Sequence, residues 1–151
     1  MRQYSVTVNK QLQKEIAKTA TSIHRDARTT VTHKRNRHGG QINDTGALLS
    51  GIRMVVQRLA GTVWSSADYS IDVEKGQAPG RYPNTNELKG WVKRKLGVSK
   101  KRLGSVTFLV AKKIEKHGTD PQPYFEPAVL RYKFKFFNNV RRIIKNGKGK
   151  F

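Results

Sequence analysis

Cysteine is absent from the 151 residues. That removes disulfide staples, thiolate metal sites and cysteine nucleophiles together. Acidic residues are scarce: Asp and Glu number 10 against 31 Lys and Arg, a formal net charge of +21. Such a field draws polyanions and speeds their arrival without choosing among them. A basic surface that docks onto acidic protein neighbours satisfies the same composition. Long apolar runs are also missing, and none approaches the roughly 20 residues that span a bilayer. The opening Met1-Arg2-Gln3-Tyr4 lacks the apolar stretch of a secretory signal. The expectation is a soluble chain without membrane contact, working in a reducing compartment or after release from one. What is present suffices for one domain: two Trp, five Tyr and six Phe can seed a core although hydrophobic residues make up only 36%.

The charge is uneven. Residues 1–40 carry nine basic and two acidic groups, and residues 41–75 carry three and four. Residues 76–118 carry eleven and two, and residues 131–151 carry eight basic groups and no acid. A nearly neutral middle is therefore flanked by strongly basic ends.

Asn9 has the chemistry of an N-cap. After it Leu12, Ile16, Ala20, Ile23 and Ala27 recur at helical spacing. This first helix is expected to end near Thr29-Thr30, where β-branched residues cluster. Residues 33–43 read as a mobile basic loop, since His33 to Gly40 contains no apolar residue. Asp44 or Thr45 then suits the cap of a short helix carrying Leu48 and Ile52. Met54–Leu59 and Thr62–Ser65 are β-prone runs around Ala60-Gly61, the pattern of a hairpin. Tyr69, Ile71 and Val73 fit a strand or a short helix, with Gly76 as the stop.

A basic insert spans about 77–104. Within it Thr85 is placed to cap a helix with Leu88, Trp91, Val92 and Leu96, ended by Gly97. Ser105 is placed to cap the next, with Val106, Leu109, Val110 and Ile114, ended by Gly118; an extended start at Val106–Val110 is the alternative. Beyond the stiff Asp120-Pro121-Gln122-Pro123, the residues Val129, Tyr132, Phe136, Val140 and Ile143 mark a final helix. At this spacing Tyr132 and Phe136 read as core, and Phe134 and Phe137 face a neighbour or a second packing surface. Gly147 is expected to end that helix, leaving a frayed tail at 147–151. The fold class is α+β: a single domain over 1–151, an antiparallel hairpin sheet packed against a long N-terminal helix and a C-terminal helix.

The residues argue against catalysis. His24, His33, His38 and His117 share no metal-ligand spacing, and His24 reads as helix surface. Phosphate-cradling and nucleophile-elbow motifs are missing. A small nuclease is the enzymatic alternative, but Asp72 and Glu74 lack the remaining parts of such a site. No metal, cofactor or catalytic residue is expected.

Four segments carry a resemblance. Thr45-Gly46-Ala47-Leu48 matches a TG-x-L pattern and is followed by Leu49-Ser50-Gly51-Ile52. Tyr69 through Val73-Glu74-Lys75-Gly76 matches Y-x-x-x-[VL]-E-x-G. A basic insert with a helical Trp follows at Trp91. Lys116-His117-Gly118 through Pro123-Tyr124-Phe125-Glu126-Pro127-Ala128 matches [KR]-x-G-x-x-x-x-P-[FY]-[FL]-x-P-A. In this order the chain, from about residue 10 to 145, resembles the tail-completion or head–tail joining proteins of tailed bacteriophages. An Arg often follows the first Leu in that family, where Leu49-Ser50 stands here. The motif residues Thr45, Gly46, Leu48, Tyr69, Glu74, Gly76, Gly118, Pro123, Phe125, Pro127 and Ala128 read as structural. Thr45-Gly46 would cap a turn passing close to a neighbour, and Phe125 would plug the core.

The resemblance implies a structural virion protein of the neck, assembled in the host cytoplasm. It implies a cyclic ring, hexameric or dodecameric, touching portal or adaptor proteins on one side and tail-tube or terminator proteins on the other. DNA would pass through the ring without sequence-specific contact. Lys34, Arg35, Arg37, Lys100, Lys101 and Arg102 are candidates for that contact. Arg141, Arg142 and Lys145 suit DNA or acidic neighbours equally. The alternative is a free basic DNA-binding protein of packaging or genome organisation.

Overall fold

The stripe that starts at Leu12 belongs to a helix longer than its local signals suggest. The computed structural model describes residues 2–35 and 42–148, with side chains at 6–35 and 42–147. In it α1 runs Arg2–His33. Asn9 is therefore interior and caps nothing, because the residues before it contain no Gly or Pro and continue the helix. Thr29-Thr30 does not end it either. Thr30 Oγ1 and Thr32 Oγ1 donate to the carbonyls of Asp26 and Arg28, each at 2.9 Å. Val31 between them is wholly buried. Tertiary burial overrides weak β-branched propensity here.

The order is then α2 (Ala47–Gly51), β1 (Ile52–Gln57), β2 (Ala60–Ser65), α3 (Ser70–Lys75), α4 (Thr85–Leu96), α5 (Leu103–His117) and α6 (Glu126–Lys148). The class is α+β, helical with one small antiparallel sheet between a long N-terminal helix and a C-terminal helix. The chain gathers into two compact units. One comprises the residues up to Ser70 with those from Pro123 onward, and the other is Ile71–Gln122.

In the first unit β1 and β2 pair antiparallel, from Ile52 opposite Ser65 to Gln57 opposite Ala60. The turn is Arg58-Leu59, not Ala60-Gly61 as the sequence pattern suggests. Gly61 has another use. A Cβ there would stand 3.1 Å from both Ala20 Cβ and Ile16 Cγ2, so the missing side chain lets the hairpin lie against α1. His24 Nε2 lies 3.2 Å from the Ile52 carbonyl, and Arg28 Nη1 donates to the Leu49 carbonyl at 2.7 Å. His24 is thus a half-buried tie and not helix surface. The core comprises Ala20, Ala27, Val31, Leu48, Ile52, Tyr124 and Ala128. Tyr124 is the plug, its exposure only 2%. Phe125 is half-buried, edge-on to the Tyr124 ring at 6.3 Å. The expectation shifts by one residue because the bend before α6 turns Tyr124 inward.

The α1–α6 contact is held by polar bonds near both ends. Asp26 Oδ2 accepts from Arg131 Nη1 at 2.7 Å and from the Tyr132 hydroxyl at 2.8 Å. Asn139 Nδ2 donates to Glu15 Oε1 at 2.7 Å. The later residue of α1 meets the earlier part of α6, so the two helices run antiparallel. Pro127 sits in the first turn of α6, where its missing N–H costs nothing. Gly147 lies inside this helix, which runs to Lys148.

In the second unit Ile71 and Val73 resolve in favour of helix, as α3, and Tyr69 stands in the turn just before it. Asn84, not Thr85, caps α4: its side chain accepts from the Asn86 N–H at 3.0 Å and donates to Glu87 Oε1 at 3.0 Å. α5 is helical from Leu103, so Ser105 lies in its first turn and the extended alternative drops out. Val92, Thr107 and Ala111 form its small core. Gly97 ends α4 with left-handed backbone and Gly118 ends α5, both as expected.

Asp26 yields a prediction. Burial alone would raise its carboxyl pKa, but the hydrogen bonds from Tyr132, Arg131 and Arg25 outweigh it and hold the pKa below the usual value. The folded carboxyl therefore binds its proton less tightly than the unfolded one. Its stabilisation is full above pH about 3.8 and is lost as the pH falls below that. Asp26→Ala should cost about 1–3 kcal/mol at neutral pH, by the usual loss of charged hydrogen-bond partners. Thermal melts should fall by about 2–4 °C per kcal/mol. The gap between variant and wild type should close in melts at acid pH.

Candidate functional site

Several motif residues sit at left-handed backbone or in the core. Gly46 has φ +82° and caps α2, with the Thr45 hydroxyl accepting from the Ala47 N–H at a long 3.4 Å. Nothing lies within 4 Å of where its Cβ would be. The glycine therefore supplies the left-handed turn and not a close approach, which corrects half of the sequence reading. The close approach comes five residues later, where a Cβ on Gly51 would meet the Ala67 N–H at 3.2 Å. Leu48 is buried beneath the turn.

Gly76 and Gly118 form a reciprocal clasp in the second unit. Both have left-handed backbone, with φ +73° and +68°. A Cβ on Gly76 would collide with the Thr119 carbonyl, and one on Gly118 with the Gln77 carbonyl. The two chains are bonded across the gap: the Thr119 N–H donates to the Gln77 carbonyl at 2.9 Å, and the Gln77 N–H to Thr119 Oγ1 at 2.9 Å. The Gln122 N–H reaches the Val73 carbonyl at 2.8 Å. Glu74, half-buried beside this clasp, is engaged within the chain. Tyr69 is about one-third exposed. In the first unit the Pro123 carbonyl accepts from Lys34 Nζ at 2.7 Å, and Ala128 is buried.

That bond takes up one of the three donors of the Lys34 ammonium, and the side chain is half-buried. Arg35 is exposed but engaged, and Arg37 lies outside the described residues, as does most of the basic loop. Lys100, Lys101 and Arg102 are all exposed in the single turn between α4 and α5, with Lys93 at the exposed end of α4. Arg141, Arg142 and Lys145 share the second half of α6, where Arg142 Nη2 donates to Asn139 Oδ1 at 3.3 Å. The site candidates thus form two separate basic clusters, one in each unit.

The acids are mostly occupied. Glu15, Asp26, Asp72, Glu87 and Glu115 are bonded within the chain, among them the ion pairs Arg81–Asp72 at 3.2 Å and Lys112–Glu115 at 2.8 Å. Asp44, Glu74, Asp120 and Glu126 are engaged as well. Asp26, the most heavily bonded of them, carries no sequence motif, and its role depends on residues 105 and 106 positions away.

Two shallow grooves open on the first unit. One is lined by Gln11, Lys14, Glu15, Lys18, Arg142, Ile143 and Asn146. The other is lined by His24, Arg25, Arg28, Thr29, Thr32, His33 and Leu49, and both imidazoles there already meet backbone carbonyls. Neither groove joins a nucleophile to a base and an orienting acid. No described helix is long and apolar enough to cross a membrane.

The clasp predicts graded costs. Gly76→Ala and Gly118→Ala combine left-handed strain of about 1–2 kcal/mol with a backbone collision. Each should lower stability by more than Gly46→Ala, which adds strain alone. Denaturant melts of the three variants would read this order directly. Comparison with protein-family models, with curated proteins and with solved structures finds no match.

Proposed function

We propose that this protein is a non-enzymatic subunit of the neck of a tailed-phage virion, joining the head on the portal side to the tail as part of a ring around the DNA channel. One observation carries the reading. Several residues of the ordered motifs fall at left-handed turns or in the core. Gly46, Gly76 and Gly118 are three of the five described glycines with left-handed backbone. Leu48 and Ala128 are buried, and Pro123 anchors Lys34. A pattern that marks backbone necessity supports shared architecture, and it asks for no chemistry.

The charge supports the same reading. Exposed Lys100, Lys101 and Arg102 suit phosphates, which position a protein on DNA without reading its sequence. Ring closure would use heterologous contacts, one face of each copy against a different face of the next. Portal or adaptor proteins and tail-tube or terminator proteins would be the flanking neighbours.

Quantitative mass spectrometry of purified source particles, scaled to the major capsid protein, tests the reading. A low fixed copy number fitting one ring is expected, and absence from finished particles would overturn it. The exposed α4–α5 turn favours the second reading, a free DNA-binding protein. On that reading the isolated protein binds duplex tightly, and the combined Lys100→Ala, Lys101→Ala, Arg102→Ala variant lowers the log–log salt slope by up to about 3. Equal slopes for variant and wild type would remove these three residues from the phosphate contacts.

A further inference from the structure

α6 carries two apolar stripes whose centres lie about 120° apart around the helix. Tyr132, Phe136, Val140 and Ile143 are half-buried on the side that meets α1. On the second stripe Leu130, Phe134, Phe137 and Ile144 are exposed by 52%, 75%, 51% and 41%. At about 100° per residue these four fall within about 80° of one another and extend over about 21 Å. Four large apolar side chains on one solvent-facing arc are more than a purely solvated helix face needs. Lys133, Arg141 and Lys145 are exposed along the same side, and no ion pair among the described residues uses them. The helix has one acid, Glu126, in its first turn.

We propose that this outward face of α6 docks an acidic amphipathic helix of another protein. Its apolar residues would seat on Leu130, Phe134, Phe137 and Ile144, and its carboxylates would pair with Lys133, Arg141 and Lys145. Charge selects this occupant. A second copy would set α6 cations against cations, and nine of its ten acids are already engaged within its own chain. Duplex DNA would satisfy the lysines but leave Phe134 uncovered. A bilayer would cover the apolar row, but by helical angle Arg141 falls inside that row, between Phe134 and Phe137. A bilayer would have to bury that charge, whereas a partner carboxylate pairs it. The inference rests on α6 alone and stands independently of the neck reading.

The test uses the full-length protein and a fluorescein-labelled peptide of about 20 residues, long enough to match the row. The peptide carries leucines at helical stripe spacing with glutamates on either side. Two relatives serve as controls, one with lysine in place of glutamate and one with serine in place of leucine. Both should bind at least about tenfold more weakly than the acidic amphipathic peptide, as expected when either apolar anchors or charge pairs are lost. Phe134→Ser should lose at least about tenfold with its melting temperature unchanged, because that side chain is three-quarters exposed; adding Phe137→Ser should deepen the loss with a small fall in melting temperature, because the Phe137 ring stands edge-on to Phe136 at 5.7 Å. Arg141→Glu should weaken the acidic peptide and strengthen the lysine peptide.

Equal binding of the serine relative would overturn the proposal in favour of the bulk charge. Equal binding of the lysine relative would overturn it in favour of unselective apolar contact. Tighter binding to phosphatidylcholine–phosphatidylserine vesicles through Phe134 and Phe137 would assign the face to a membrane. Self-association in sedimentation that vanishes with those substitutions would assign it to a second copy.

Discussion

The antiparallel contact between α1 and α6 is the constraint on which the first unit depends. The hairpin lies on α1 through Gly61, and the turn around α2 is tied to α1 through Arg28. α6 returns from more than 100 residues away to close the other side of α1. Closing so long a loop is costly, although the cost grows only slowly with length. Burial of Tyr124, Ala128, Ala20 and Ala27 opposes it, and Asp26 sets the register. A carboxylate with one sixth or less of its side chain exposed, holding a guanidinium and a phenol at once, does not tolerate a one-turn slip. The ion pair to Arg131 contributes little by itself, since that guanidinium is two-thirds exposed. The specificity comes from the two α6 donors, Arg131 and Tyr132, that meet one acid on α1.

This use of acid shapes the outside of the molecule. Ten carboxylates serve a chain with 31 cations, and nine of the ten are engaged internally. They clamp α1 to α6, cap α4 and tie Arg81 and Lys112. The surplus positive charge is left to face outward, in the α4–α5 turn and along the second half of α6. The uncompensated basic surface is thus what remains once the acids are engaged within the chain, and not a uniform coat.

The sequence was legible where a signal is local. The hydrophobic periods of α1, α4, α5 and α6 were readable, and so were the stops at Gly97 and Gly118. So was the hairpin as a pair of runs. What failed depended on distant partners. Gly61 looks like turn chemistry until Ile16 and Ala20 stand against it. Asn9 and Thr30 look like helix ends until burial of Val31 and unbroken upstream residues extend the helix. Lys34 reads as part of a basic loop, yet its ammonium meets a carbonyl 89 positions on. Phe125 and Tyr124 are indistinguishable as core candidates by type, and only the bend before α6 separates them. Asp26 had no local mark at all. The motif glycines were readable as turns, but the reciprocity of Gly76 and Gly118 was not, because it exists only once two loops meet.

The exposed apolar row on α6 and the net charge bear on each other. A face with Phe134 three-quarters exposed invites self-association. A net charge of +21 opposes it, since two copies approaching through like-charged helices repel before their apolar rows touch. Salt weakens that repulsion beyond roughly one Debye length, about 8 Å at physiological strength. An acidic partner reverses the sign: the same cations that hold copies apart draw it in, and the apolar row then gains by being covered. Charge of one sign with an apolar seam therefore permits one class of contact while suppressing another.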